Sequence, residues 1–312
     1  MYFPYFRGKQ YDLITLRDCA ELMAAAGFVP IVEPVKGALN GLVRSIDAIN
    51  KAHGSMILIV NPCNGEYVGD SLTLNNLVRN ELKEHANLSP GYILNKEHTI
   101  DDVIECCKLY PDRLITFIHN GFSSGKALAE TLQAREIDSR HVFISEQCGL
   151  AYQKHFKGSD RVLIKNGFQR RANREHPEIE NFSDLHATYT ELGMDGFGDY
   201  LIVGDEYSTS GGPAYAVAIH LTCIDYDNDD MMLMHHFKSI RFDTPTDPAG
   251  KFAEAVQKLH DEVHRPGTKI IRTKAVEEFL SLHASGHFPG LGYIKKLSMN
   301  HHIETLADYF EL

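Results

Sequence analysis

An amphipathic stretch followed by a short apolar run recurs through the first two thirds of this chain, and that alternation restricts the fold more than any single residue does. After the opening "YFPYFRG", the stretch "YDLITLRDCAELMAAAG" has apolar residues at helical spacing and stops at Gly27, and "FVPIVEPV" then reads as a strand. The pattern continues with "LNGLVRSIDAINKAHG" into "SMILIVNP", "DSLTLNNLVRNELKEHA" into "GYILN", and "TIDDVIECCKLYP" into "RLITFIHNG". It closes with "SGKALAETLQAREI" into "HVFISEQ", "LAYQKHF" into "RVLIKNGF", and "SDLHATYTELG" into "DYLIVGDEY". Helical crossovers between consecutive strands are right-handed and give parallel sheets, and eight such units close a (β/α)8 barrel of the TIM type. An open doubly wound sheet is the alternative. It usually carries a glycine-rich phosphate turn, and the chain has neither GxGxxG nor GxxxxGK[ST].

The repeat ends near residue 208. Beyond it, "AYAVAIHLTCIDYDNDDMMLMHHFKSI" reads as two strands joined at "DNDD". Two helices, "DPAGKFAEAVQKLHDEVH" and "TKAVEEFLSLHASG", follow, and "GYIKKLSMNHHIETLADYFEL" reads as a short connector and a closing helix. The organisation expected is a barrel over 1–208, with 209–312 an appendage that lacks a core of its own and packs on the barrel.

Composition narrows the partners. A formal charge of -11 argues against a protein that grips duplex nucleic acid over a broad surface, because that grip needs many Lys and Arg contacts to phosphate. Cys19, Cys63, Cys106, Cys107, Cys148 and Cys223 show no CxxC spacing and lie in or beside apolar segments, as reduced thiols of a cytoplasmic protein do. No uncharged segment approaches the roughly 18 residues of a membrane span.

In such barrels, residues at the C-terminal strand ends line the functional face. Here they are Arg7, Glu33, Asn61, Asn95, His119 with Asn120, Glu146, Lys165 with Asn166, and Asp205 with Glu206. Strands one, two and eight adjoin, which gathers Arg7, Glu33, Asp205 and Glu206 in one sector. Those carboxylates would hold Mg²⁺ or Mn²⁺ through oxygen, or divide into acid and base; otherwise Arg7 pairs with Glu33 or Asp205 and closes the barrel seam. His119, Glu146 and Lys165 would form an acid–base set across the mouth, unless His119 bonds a loop carbonyl and Lys165 is a solvated amine. Arg7, Asn61, Asn166, Arg170, Arg171 and His220 complete a candidate substrate-binding set. The loop "KNGFQRRANREHPE" gathers Lys165, Arg170, Arg171 and Arg174 in an acidic protein, either as a phosphate site or as a solvated loop or docking surface for a partner protein. The pairs His235 with His236 and His301 with His302 make no metal site by themselves, because neighbouring side chains diverge. The glycines of "STSGGPAY" either cover the eighth strand or turn the chain into the hairpin.

"YFPYFRGKQYDLITLRD", "VPIVEP", "AIHLTCID" and "SMNHHIE" resemble the beta-protein family of phages and bacteria along the whole chain. The resemblance implies a barrel and, through neighbouring mobile elements, a role in phage defence; it carries no catalytic motif onto particular positions. Two functions follow as expectations. One is a metal-assisted enzyme acting on a phosphate- or nucleotide-containing substrate; the other is a non-catalytic subunit whose mouth binds a protein or peptide.

Overall fold

The computed structural model describes residues 1–209, 212 and 214–311, so part of "STSGGPAY" lies outside the described residues. Eight parallel strands form one sheet: β1 (Tyr5–Phe6), β2 (Ile31–Val32), β3 (Met56–Ile59), β4 (Leu88–Leu94), β5 (Ile115–His119), β6 (Ser139–Ile144), β7 (Asp160–Ile164) and β9 (Gly196–Gly198). Each of them pairs with the next in this order. Backbone hydrogen bonds from Phe3 N–H to Phe197 O (2.8 Å), Tyr5 N–H to Asp199 O (2.9 Å) and Phe197 N–H to Met1 O (3.0 Å) join last strand to first. The sheet is a TIM-type barrel, as the eightfold alternation predicts.

Both faces of a strand in such a barrel are buried, so the strands read as unbroken apolar runs and only parity along the strand assigns a face. Tyr5, Ile31, Ile57, Ile59, Ile118, Ile144 and Ile164 fill the interior. Their neighbours Phe6, Val32, Leu58, Phe117 and Phe143 point outward into the larger cluster under the helices. That outer layer comprises α1 (Gln10–Asp18), α2 (Ala20–Ala25), α3 (Asn40–Lys51), α4 (Ser71–Asn76), α5 (Ile100–Leu109), α6 (Gly125–Ala134) and the short α7 (Leu150–Gln153) and α8 (Leu185–Thr188).

The eighth barrel strand is "GFG" and not the expected "DYLIVGDEY". Its glycines look like a turn in sequence, yet a Cβ at Gly196 would overlap the Phe3 ring and one at Gly198 the Phe3 carbonyl oxygen. Only glycine lets the seam close at that separation.

The expected hairpin is β10 (Ala218–Asp225) and β11 (Met231–Lys238), with Asp225 opposite Met231. A third strand, β8 (Ile179–Ser183), extends it along β11 in a segment for which no strand was expected. Polar "IENFS" buries one residue fully, so it has little apolar signal. Helices α9 (Pro248–Val263), α10 (Lys274–Ser285) and α11 (Leu291–Glu311) follow. Against the expectation of no separate core, Ile219, Leu221, Phe252, Val256, Phe279 and Leu297 belong to a second apolar cluster. The expected connector before the last helix is itself helical. α11 gives Ile294 and Leu297 to the second cluster and Met299, Ile303 and Leu306 to the first, and a helix buried on two sides shows no clean polar stripe.

The His301–His302 pair is absorbed by this packing. His301 Nε2 donates to Thr222 O (2.7 Å) and its Nδ1 accepts from Thr273 Oγ1 (2.8 Å). His302 meets Asp199 Oδ2 (3.2 Å), whose other oxygen accepts from Tyr2 Oη (2.7 Å), and so ties α11 to the barrel seam. No helix of the described residues is long and apolar enough to cross a membrane.

Candidate functional site

Parity along each strand sorts the strand-end residues between the interior and the outer face. Tyr5 and Ile31 point inward, so Arg7 and Glu33, two residues on, do too. Glu33 is fully buried. Its Oε1 accepts from Cys63 N–H (2.9 Å), Asn64 N–H (3.0 Å) and Asn64 Nδ2 (3.0 Å). Its Oε2 accepts from Tyr5 Oη (3.1 Å) and from Arg7. Arg7 lies beside the Tyr5 and Tyr200 rings and also donates to the Asp205 carbonyl oxygen. Asp205 Oδ1 takes Asn166 Nδ2 (2.9 Å), and Glu206 pairs with Arg170 (2.9 Å). The expected Mg²⁺ or Mn²⁺ site at Glu33, Asp205 and Glu206 is therefore not assembled. The carboxylates hold separate partners, Arg7 occupies the ground between two of them, and five donors saturate Glu33. The seam ion pair is the reading the geometry supports.

His119 is also relocated. Ile118 points inward, so His119 points out, between the sheet and α7. Its Nδ1 meets Tyr152 Oη (2.7 Å) and its Nε2 meets His141 Nδ1 (2.9 Å), with Phe143 and Phe156 packed on the ring. Burial, with His141 adding a smaller effect, holds His119 well below the usual imidazole range. It is a core histidine and does not reach the mouth. Lys165 faces Asp184 (3.5 Å), and Glu146 accepts from Asn166 N–H (3.4 Å), so no acid–base set forms with His119. Asn61 is structural: its side chain bonds both the N–H (2.8 Å) and the carbonyl (2.9 Å) of Ile93 and clips β3 to β4.

Arg170, Arg171 and His220 do converge. They line a cavity of about 780 Å³ bounded by the arginine loop after β7, the segment after β9, the start of β10 and the first turns of α11. Phe168, Ile202 and Ile294 form apolar wall, and His176 and His220 also line it. Arg171 pairs with Glu180 (2.8 Å), and Glu180 Oε1 meets His236 Nε2 (2.9 Å). His220 Nδ1 meets His236 Nδ1 (2.7 Å).

Lys295 reaches the same cavity from α11. Among the described residues it has no carboxylate within ion-pair distance. Burial lowers its pKa; Asp12 opposes that effect and Arg170 reinforces it. Lys9 is lowered as well, first by burial and then by Lys295, and its ammonium donates to Ser208 O (2.7 Å). Sequence reading missed His176, Glu180, His236 and Lys295 as site residues. A signal existed for one of them: pairing the hairpin about "DNDD" sets His220 opposite His236.

The fold and site define a TIM-type barrel with an appended sheet and a basic, histidine-floored cavity beside the seventh and eighth barrel strands. Neither a family model nor a curated protein matches the chain. Among solved structures it is similar to Proteus mirabilis N-acetylneuraminate lyase, with TM-score 0.41 and 11% identity over 63% of this chain and 70% of that one.

Proposed function

We propose that the chain binds a phosphate-bearing small molecule in the cavity between the arginine loop and α11. The observation that carries this reading is Lys295, an ammonium half-buried in the cavity wall with no carboxylate within ion-pair distance among the described residues, next to Arg170 in a protein of net charge -11. Like charges gathered in a partly dry site oppose folding, and an anionic ligand removes that cost. The position agrees, since loops after the seventh and eighth strands of such barrels commonly hold phosphate. Arginine forks match phosphate oxygens, and Arg170 and Arg171 would exchange the carboxylates of Glu206 and Glu180 for them. Lys295 supplies the central charge. The apolar wall of Phe168, Ile202 and Ile294 favours a ligand with an organic body over a free ion.

Lys295→Met keeps the length of the side chain and removes the charge. A charge-assisted hydrogen bond contributes about 1.5–3 kcal/mol, so affinity for pyrophosphate or ADP, read by calorimetry, should fall about 10–100-fold. The variant should keep its circular dichroism spectrum. Equal affinity in Lys295→Met and wild type, or no wild-type binding of either probe at millimolar concentration, overturns the reading.

A further inference from the structure

We infer that His176, His220 and His236 form a binding site for a nitrogen-preferring divalent transition metal, Zn²⁺ or a close analogue, on the floor of this cavity. The inference stands on the imidazoles and would survive failure of the phosphate reading. The three residues come from separate places in the fold: His176 from the arginine loop, His220 from β10 and His236 from β11. One ring nitrogen of each lies within 4.8 Å of one ring nitrogen of both others. A Zn²⁺ bonded to imidazole at about 2.0–2.1 Å needs its ligand nitrogens roughly 3.3 Å apart in a tetrahedral arrangement. The 2.7 Å contact between His220 and His236 would open and the widest separation would close, through small ring movements.

Two further features fit a metal better than a histidine cluster that only fills space. First, His236 Nε2 is 2.9 Å from Glu180 Oε1, which fixes the proton on Nε2 and leaves the Nδ1 lone pair toward His220. That is the carboxylate–histidine arrangement that orients metal ligands, and Arg171 holds the other oxygen of Glu180. Secondly, the buried Nε2 of His176 has no hydrogen-bond partner among the described residues, which a buried ring nitrogen seldom tolerates. Metal entry requires His220 to carry its proton on Nε2 in place of Nδ1. Imidazole donors suit Zn²⁺, Co²⁺, Ni²⁺ or Cu²⁺ and not the Mg²⁺ or Mn²⁺ expected at the strand-end carboxylates. With three protein ligands the fourth position faces the cavity, and the positive charge of Arg171, Lys238 and Lys295 nearby favours an anion there.

The test is a titration of the chelator-treated full chain with Co²⁺, followed by its visible absorption, and then competition with Zn²⁺. The wild type should bind one equivalent of Co²⁺ that Zn²⁺ displaces. His220→Ala should weaken binding at least about 100-fold, and Glu180→Gln, which keeps all three ligands, about 10–100-fold. The Glu180 variant keeps the test decisive if His220→Ala fails to fold. His264 and His283 each pack on His260 at the surface and are the obvious adventitious site, so His260→Ala with His264→Ala must leave the signal unchanged. No stoichiometric Co²⁺ spectrum in the wild type would show a purely hydrogen-bonded histidine chain. Loss of the signal only in the surface double variant would show adventitious binding. Either result overturns the inference.

Discussion

Replacing Glu33 with alanine is expected to destabilise the chain by about 3–5 kcal/mol, the cost of leaving a buried charge without its partner. The carboxylate is fully buried and satisfies Arg7, Tyr5, two backbone N–H groups and the Asn64 amide at once. Its removal strands Arg7 and orphans donors from the ends of β1 and β3. Glu33→Gln also destabilises, although it preserves shape, because an amide nitrogen must then face one of these donors. The reading is a shift in the urea midpoint at constant slope. Arg7→Met combined with Glu33→Gln should recover part of the loss, since it deletes both charges together. A Glu33→Ala variant within about 1 kcal/mol of wild type would show that the seam pair is not structural.

The same pair marks where sequence reading succeeds and where it stops. Eight alternations sufficed for the barrel because a parallel sheet under helices leaves a signal in every unit. Parity was equally legible. Ile118 inside implies His119 outside, and Ile31 inside implies Glu33 inside, but parity only helps once the interior residues are chosen, and strands buried on both faces give no polar side to choose by. The Arg7–Glu33 seam pair was legible as an alternative, but the saturation of Glu33 was not, because three of its donors come from the 63–64 loop, whose path no local pattern records. Arg170 and Arg171 were found from charge density in one loop. Lys295 could not be, since it lies more than a hundred residues away in a helix with two buried sides. The cavity exists only because the appended sheet and α11 fold back on the arginine loop, and β8, the strand that anchors this contact, has almost no apolar signal.

Acidification should begin to destabilise the chain well above the pH at which carboxylates titrate, as the pH falls through about 6.5. Burial lowers the pKa of His141 to about 3 and of His236 and His301 to about 4, and holds His119 and His220 well below their ordinary value. In the unfolded chain each returns to about 6.5. The folded state thus binds fewer protons than the unfolded one below that pH, and its stability falls as pH drops through about 6.5 toward the folded values. Each such histidine contributes about 1.4 kcal/mol per pH unit, so His141, His236 and His301 alone remove on the order of 8 kcal/mol by about pH 4.5, comparable with the whole stability of a typical domain. Asp12 and Glu304 act in the opposite sense, since burial raises both, but two carboxyls cannot offset this many imidazoles. Urea midpoints measured from about pH 7.5 down to about pH 5 should fall steadily, and His141→Gln should flatten the slope by about one proton's worth. A midpoint unchanged over that interval would mean that these rings already carry protons in the fold, and the neutral, lone-pair-bearing histidines at the cavity floor would be lost with them.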